Sequence, residues 1–289
     1  MRTRLLALCF TVALAAACAS DAKPTATVAS SSSSAPKLSH IVSLSPTATE
    51  MLFAIGAGSQ VVAVDDQSNF PANAPKTNLS GNTPNVESIA GFQPDLVVIA
   101  NDTAGLVAGL KNVGVDSLLL PAATKLDDSY SQIEQLGQVT GHQSEADALV
   151  AKMKSDVDTI VKQIPPTAAG KTYYYELDNT FFTATSKTFI GAVLGLTGLK
   201  NIGDAADDGS GYPQLSQEAI VSANPDFIFL ADTKCCAQSK DTVAQRPGWS
   251  TIAAVQTGKV VALDDDVASR WGPRIVDLLR EVVQSVSAS

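Results

Sequence analysis

Aspartate repeatedly follows the apolar, β-rich runs of this sequence. Asp65-Asp66 follows residues 61–64, Asn101-Asp102 follows 96–100, and Asp178 comes shortly after Tyr173-Tyr174-Tyr175. Asp232 follows residues 227–230, and Asp264-Asp265-Asp266 follows 260–263. A carboxylate at such a place caps the next helix, and any one of these aspartates taken alone has that reading. Ligands of parallel α/β sheets bind beyond the carboxyl ends of the strands. Several carboxylates facing such a cleft would favour a neutral or cationic ligand over an anionic one. Arg270 and Lys187 are the cations well placed to oppose them. Phe70, Phe182, Tyr212 and Trp271 lie after strands or in connecting loops, where an aromatic face serves a large amphipathic ligand or packs within its own lobe. The candidate ligand contacts are therefore Asp66, Phe70, Asp178, Phe182, Tyr212, Arg270 and Trp271.

Reaction chemistry finds little support. The two histidines, His40 at the start of a strand and His142 near a helix, have no nucleophile beside them, which argues against a Ser–His–Asp hydrolase. The same scarcity argues against a histidine-rich zinc or manganese site; a carboxylate-only site for a hard cation is the remaining metal option. Ile55-Gly56-Ala57-Gly58 closes a helix and precedes a strand, the reverse of a dinucleotide-binding turn. No Gly-rich loop ends in Lys-Ser or Lys-Thr, so ATP hydrolysis would belong to partner subunits. Neither an enzyme nor a cofactor is expected. The adjacent Cys235-Cys236 can close an eight-membered disulfide ring in an oxidising compartment. At a strand end that ring is either a ligand contact plate or a staple for its own loop.

The compartment is read from the first residues. Arg2 and Arg4 precede a short apolar stretch, and Ala15-Ala16-Ala17 leads into Cys18. This is a secretory leader, residues 1–17, with Cys18 as the candidate lipid-bearing residue; cleavage nearby without lipid is the alternative. Residues 18–38, with the run Ser30-Ser31-Ser32-Ser33-Ser34, cannot bury enough surface to offset their ordering entropy and read as a tether. The net charge of −9 argues against nucleic acid and anionic membranes as partners, leaving the lipid anchor as the only membrane contact.

From His40 onward, strands and helices alternate, the pattern of a parallel sheet with helices on its faces. Ala148, Leu149, Met153, Val157, Ile160 and Val161 recur at helical spacing for roughly six turns, up to Pro165-Pro166. The expected fold is α/β: two Rossmann-like lobes, residues 39–143 and 166–289, with separate cores, joined by one long rigid helix over 144–165, with the ligand cleft between them. The halves echo each other. Val86-Glu87-Ser88-Ile89 precedes Pro94-Asp95 and a strand, as Gln217-Glu218-Ala219-Ile220 precedes Pro225-Asp226 and a strand.

These pieces, with Ile41-Val42-Ser43-Leu44-Ser45-Pro46-Thr47-Ala48-Thr49-Glu50, Tyr212-Pro213-Gln214-Leu215-Ser216-Gln217-Glu218 and Pro273-Arg274-Ile275, occur in an order that resembles the class III periplasmic solute-binding proteins of ABC importers. The resemblance covers residues 41–286, and the cobalamin-binding branch is the most similar. It implies a monomeric bilobal receptor with modest closure, a corrinoid or iron chelate as ligand, and a permease with ATPase subunits as partners. It also implies that Glu87 and Glu218 dock onto arginines of the permease; two ordinary solvated helix-start glutamates are the plainer reading. Tyr212 stands where the cobalamin branch carries an aromatic. The chain departs from that branch at Gly81-Asn82-Thr83-Pro84, where a tryptophan precedes the first-lobe glutamate. Ferric siderophore or haem is the alternative ligand, and a non-transport envelope scaffold the distant alternative function.

Overall fold

Ile41–Leu44 (β1) is buried along its whole length, as a central parallel strand with both faces covered must be. In the computed structural model, which describes residues 38–288, it lies at the middle of a five-stranded sheet. Its neighbours are β2 (Val61–Asp65) and β4 (Leu96–Ile99), flanked by β3 (Lys76–Leu79) and β5 (Ser117–Leu119). A second, four-stranded sheet runs in the order β7 (Lys200–Asn201), β6 (Thr172–Glu176), β8 (Phe227–Leu230) and β9 (Val260–Ala262). Every pairing in both sheets is parallel. The expected leader, Cys18 and most of the tether lie outside the described residues.

The echo between the halves is a structural repeat. Helix α2 (Val86–Ala90) is capped by Asn85, whose side chain accepts from Ser88 N at 2.7 Å. Helix α7 (Gln217–Ala223) is capped by Ser216, which accepts from Ala219 N at 3.1 Å. Asp95, just before β4, accepts from Ser39 N and His40 N at the start of β1 (2.8 and 3.0 Å). Asp226, just before β8, accepts from Thr172 N at the start of β6 (2.8 Å). Each Pro-Asp thus ties the beginning of one strand to the beginning of its neighbour.

The connection between lobes is α5 (Gln143–Val161), 19 residues and about 28 Å long at 1.5 Å per residue. Ala146, Val150, Met153, Val157 and Ile160 form its buried stripe. It pairs with α4 (Leu126–Thr140) across the left-handed Gly141. At this crossing a Cβ on Gly137 would stand 2.4 Å from the Ala146 Cβ, so only glycine permits it. On its other side α5 receives α11 (Ile275–Ser287) from the end of the chain. This changes the expectation of separate cores. One apolar cluster runs from Ile41, Met51 and Leu52 through Met153 and Ile160 to Tyr175, Phe229, Leu279 and Val283. Only the outward faces of the sheets keep clusters of their own. Because α11 returns onto α5, the two inner faces fuse.

The second lobe encloses an acid pair. Glu176, at the end of β6, is fully buried and receives both terminal nitrogens of Arg246, Nη1 to Oε2 at 2.7 Å. The guanidinium lies over the rings of Trp249 and Phe181, 4.4 and 5.4 Å from their centroids. Asp232, just beyond β8, is also fully buried, and neither of its oxygens meets a hydrogen-bond donor of the described residues. Burial first, and then the charge of Glu176, pushes its carboxyl up to about 8. The unfolded chain gives up this proton near 3.8 and the folded chain only near 8. The stabilisation is therefore complete below the lower value and is lost as pH rises through the upper one. Urea unfolding between pH 5 and pH 8 is expected to show stability falling by up to about 1.4 kcal/mol per pH unit. Asp232→Asn should flatten that slope; an unchanged slope in the variant would contradict the assignment.

Candidate functional site: a cleft with an ion-paired floor

The carboxyl ends of the first sheet open onto a cleft of 490 Å³. The first lobe supplies Ser45–Thr47 after β1, Asp65 and Gln67 at the end of β2, Gly81 and Asn82 after β3, and Asn101 after β4. The second lobe supplies Asp266, Ser269, Arg270 and Trp271. These last residues belong to α10 (Asp265–Ala268) and the link to α11, a strap reaching across to the first lobe. Ser45 begins α1 (Pro46–Ala54) as its N-cap, accepting from Ala48 N. A Cβ at Gly81 would stand 2.5 Å from the Leu44 carbonyl oxygen, so close approach fixes glycine at this wall.

Below the cleft, one buried glutamate joins the lobes. Glu50 of α1 accepts from Arg270 Nη1 at 2.8 Å and from Arg274 Nε at 2.9 Å, and Arg274 Nη2 donates to it as well. Arg270 also donates through Nη2 to the Gln67 carbonyl and to Asp266 Oδ1, each at 3.1 Å. The Arg274 guanidinium lies 4.2 Å from the centroid of Phe70. The strap passes over the carboxylate at Gly272, where a Cβ would sit in ordinary van der Waals contact, 3.4 Å from Glu50 Oε2. Such paired, bidentate contacts fix geometry as well as charge. Trp271 continues the strap, its indole N–H donating to Gln132 Oε1 of α4 at 2.8 Å and its carbonyl accepting from Ser129. A second cavity of 160 Å³ lies on the other side of Trp271, with Tyr212, Leu177 and Phe189 on its walls.

The structure gathers some of the sequence candidates and disperses others. Arg270 and Trp271 line the main cleft, and Tyr212 lines the smaller cavity and is half exposed. Phe70 covers Arg274, and Phe182 pairs with Gln214 at an exposed bridge. Asp66 is exposed, and Asp65 one residue earlier is the carboxylate that enters the cleft. Burial raises the Asp65 carboxyl above its ordinary range, against hydrogen bonds from Ser68. Asp178 is taken up by its own turn, accepting from Thr180 N and Oγ1 at 2.8 and 2.6 Å. Lys187 pairs with Asp207 at 2.8 Å. Asp102 accepts from Val107 N, and Asp264 caps α10. Of the strand-end aspartates, Asp65 and Asp266 face the cleft.

Cys235 and Cys236 are disulfide-bonded, and neither lines the two cavities. Their loop is held by Asp265, which accepts from Thr233 N (2.8 Å), Lys234 N (2.8 Å) and Cys235 N (3.0 Å). Lys234 bridges Asp264 and Asp266 at 2.8 and 2.7 Å, so the loop supports the strap that carries Arg270. Glu87 and Glu218 are both exposed, each in the first turn of its capped helix. Residue chemistry along the sequence assigns no role to Glu50 or Arg274. Their one signal is that they stand inside the two motifs, Thr49-Glu50 and Pro273-Arg274, that carry the family resemblance.

Comparison with known proteins agrees with this architecture. The family model described as "Periplasmic binding protein" matches residues 41–267. An uncharacterised ABC transporter substrate-binding lipoprotein of Bacillus subtilis is 32% identical over 255 residues, covering 85% of this chain and 79% of the relative. A cobalamin-binding protein of Halobacterium salinarum is 32% identical over 245 residues, covering 82% of this chain and 66% of the relative. The crystal structure of a possible iron-binding periplasmic protein from Staphylococcus epidermidis superposes with a TM-score of 0.74 at 28% identity, covering 86% of this chain and 99% of that one. The chain belongs to the periplasmic binding protein family, whose members are solute receptors rather than enzymes, and it is the extracytoplasmic solute-binding receptor of an ABC importer.

Proposed function

We propose that the solute is cobalamin or another corrinoid. The observation that carries this reading is the cleft itself: a polar cavity whose second-lobe wall is an indole held in place by Gln132, with Tyr212 beyond it. A large amphipathic ligand needs aromatic area together with a few polar contacts. Ser45, Asn82 and Asn101 offer the latter. The similarity to a relative named for cobalamin binding supports the same choice. The open wall at Gly81-Asn82, where the cobalamin branch carries tryptophan, is where this receptor would contact its ligand differently. An iron chelate or haem is the second reading, favoured by the similarity to the Staphylococcus protein named for possible iron binding.

In this reading, Cys18 carries the lipid that holds the receptor at the membrane, and the receptor works as a monomer without catalysis. Glu87 and Glu218 dock it onto the permease. Each is an exposed carboxylate on a helix start, and the structural repeat puts them at equivalent positions of the two lobes, so that the pair fixes orientation as well as attraction. The disulfide loop acts as a staple beneath the strap.

A thermal-shift screen of the mature domain against cyanocobalamin, cobinamide, haemin and ferric siderophores tests the ligand. Ligand at a hundred times its Kd stabilises by about 2.7 kcal/mol, a rise of roughly 5–10 °C for a domain of this size. That rise is expected with a corrinoid; a rise confined to an iron compound would replace the reading by the second one. Tyr212→Ala is expected to weaken corrinoid binding by about three- to tenfold, the worth of one aromatic contact, and Tyr212→Phe to leave it near the original value. Equal affinity in the alanine variant would remove Tyr212 from the site. Glu87→Ala with Glu218→Ala should keep ligand binding and lose uptake in whole cells. Uptake at the original rate would refute the docking role.

A further inference from the structure

Among the described residues the cleft is lined by one guanidinium, and that guanidinium is already committed to partners. Arg270 gives Nη1 to Glu50 and Nη2 to Asp266 and the Gln67 carbonyl. Behind it, Arg274 is bound at two nitrogens by the same Glu50 and covered on its face by Phe70. Lys234, the nearby ammonium, is held between Asp264 and Asp266. The floor therefore holds two arginines against Glu50 and Asp266, a balanced set, with Asp65 as a further acid on the first-lobe wall. An anionic ligand entering this cleft would have to take Arg270 from two carboxylates, and the Arg270–Glu50 pair is itself buried, where charge interactions are strong.

We infer that Glu50, which does not itself line the cleft, is a specificity-determining residue: by neutralising Arg270 and Arg274 from below, it makes the site reject ligands that bear carboxylates or similar anions. The inference rests on the proposed neutral or weakly charged ligand and explains how the receptor would exclude anionic chelates and haem propionates. It acts through repulsion of the wrong ligand as much as attraction of the right one. Glu50 is suited to the task because its position is fixed from both sides. It lies on α1, two residues from the buried Ala48 and next to the buried Met51, and beneath the backbone of the strap at Gly272. No other group of the network touches both arginines in these contacts.

Removing one negative charge leaves the floor with a net positive charge, and removing a positive charge as well restores the balance. Glu50→Gln and Asp266→Asn each make the first change; Glu50→Gln combined with Arg270→Gln makes both. Binding of cyanocobalamin and of haemin, a flat macrocycle with two propionates, would be measured by titration on the original protein and all three variants. Circular dichroism would establish which variants fold. The ratio of haemin to corrinoid affinity is expected to rise at least tenfold in Glu50→Gln and in Asp266→Asn. It should return to within about threefold of the original value in the double variant, because the balance and not the shape governs it. Asp266 is only partly buried, so that variant keeps the test available if Glu50→Gln does not fold. A folded Glu50→Gln or Asp266→Asn with no gain for haemin overturns the inference, as does a gain that persists in the double variant. If the original protein binds neither compound, the corrinoid reading falls, and the haemin response of the single variants still decides the role of Glu50.

Discussion

A single buried carboxylate connects the parts of this receptor. Glu50 stands on the first helix of the first lobe, and both of its partners, Arg270 and Arg274, come from the strap that leads into the last helix of the second. Burying three charges is costly unless each is paired and hydrogen-bonded. That condition is met here by bidentate contacts, by Asp266, and by the ring of Phe70. The consequence is geometric. The strap is tied down at Arg270 and Arg274, so Trp271 between them has one orientation, secured through Gln132 and Ser129. The cleft's floor and its aromatic wall are products of the same set of contacts.

The apolar core works in the same direction. Fusion of the two inner cores along α5, with α4 on one side and α11 on the other, leaves little freedom for the lobes to swing as independent bodies. The two lobes share one plan, down to the Pro-Asp ties and the capped glutamate helices, yet they use their strand ends differently. The first lobe turns Asp65, Asn82 and Asn101 into the cleft. The second buries its counterparts, Glu176 and Asp232, behind Arg246 and hands the cleft-facing role to the strap.

Much of this is legible in the residues because the relevant signals are local. The strands β1, β4 and β8, buried throughout, and β6, buried from Tyr173 onward, are short apolar or aromatic runs, and α5 declares itself by its spacing. Helix α4 goes unread although Leu126, Tyr130, Ile133 and Leu136 recur at helical spacing, because Asp, Ser and Gln fill the positions between them and its buried face includes the polar Ser129 and Gln132. β3 and β7 go unread because one is a half-exposed edge strand and the other only two residues long. At the site, Arg270 and Trp271 emerge from asking which residues stand beyond strands and in the loops between elements, and Tyr212 from the family resemblance. That rule fails by one residue at Asp65-Asp66, since alternation along β2 decides which carboxylate turns inward. It fails at Asp178 because an aspartate beside Thr180 satisfies its own turn first. Glu50 cannot be read at all from chemistry: its partner Arg274 lies 224 residues away, and a lone acid on a helix reads as solvated until the fold brings the strap over it.

The most direct test of this account is a double-mutant cycle on Glu50 and Arg274, comparing the unfolding free energies of the original mature domain, Glu50→Gln, Arg274→Gln and the pair together. If the carboxylate ties the lobes as described, Glu50→Gln costs about 3–5 kcal/mol, as expected when a buried ion pair loses one partner, and Arg274→Gln costs less because Glu50 keeps Arg270. The double variant then costs far less than the sum, with a coupling of about 2 kcal/mol or more. Additive costs, with a coupling near zero, would mean that the lobes are held by apolar packing alone and that the ion-paired floor does not organise the cleft.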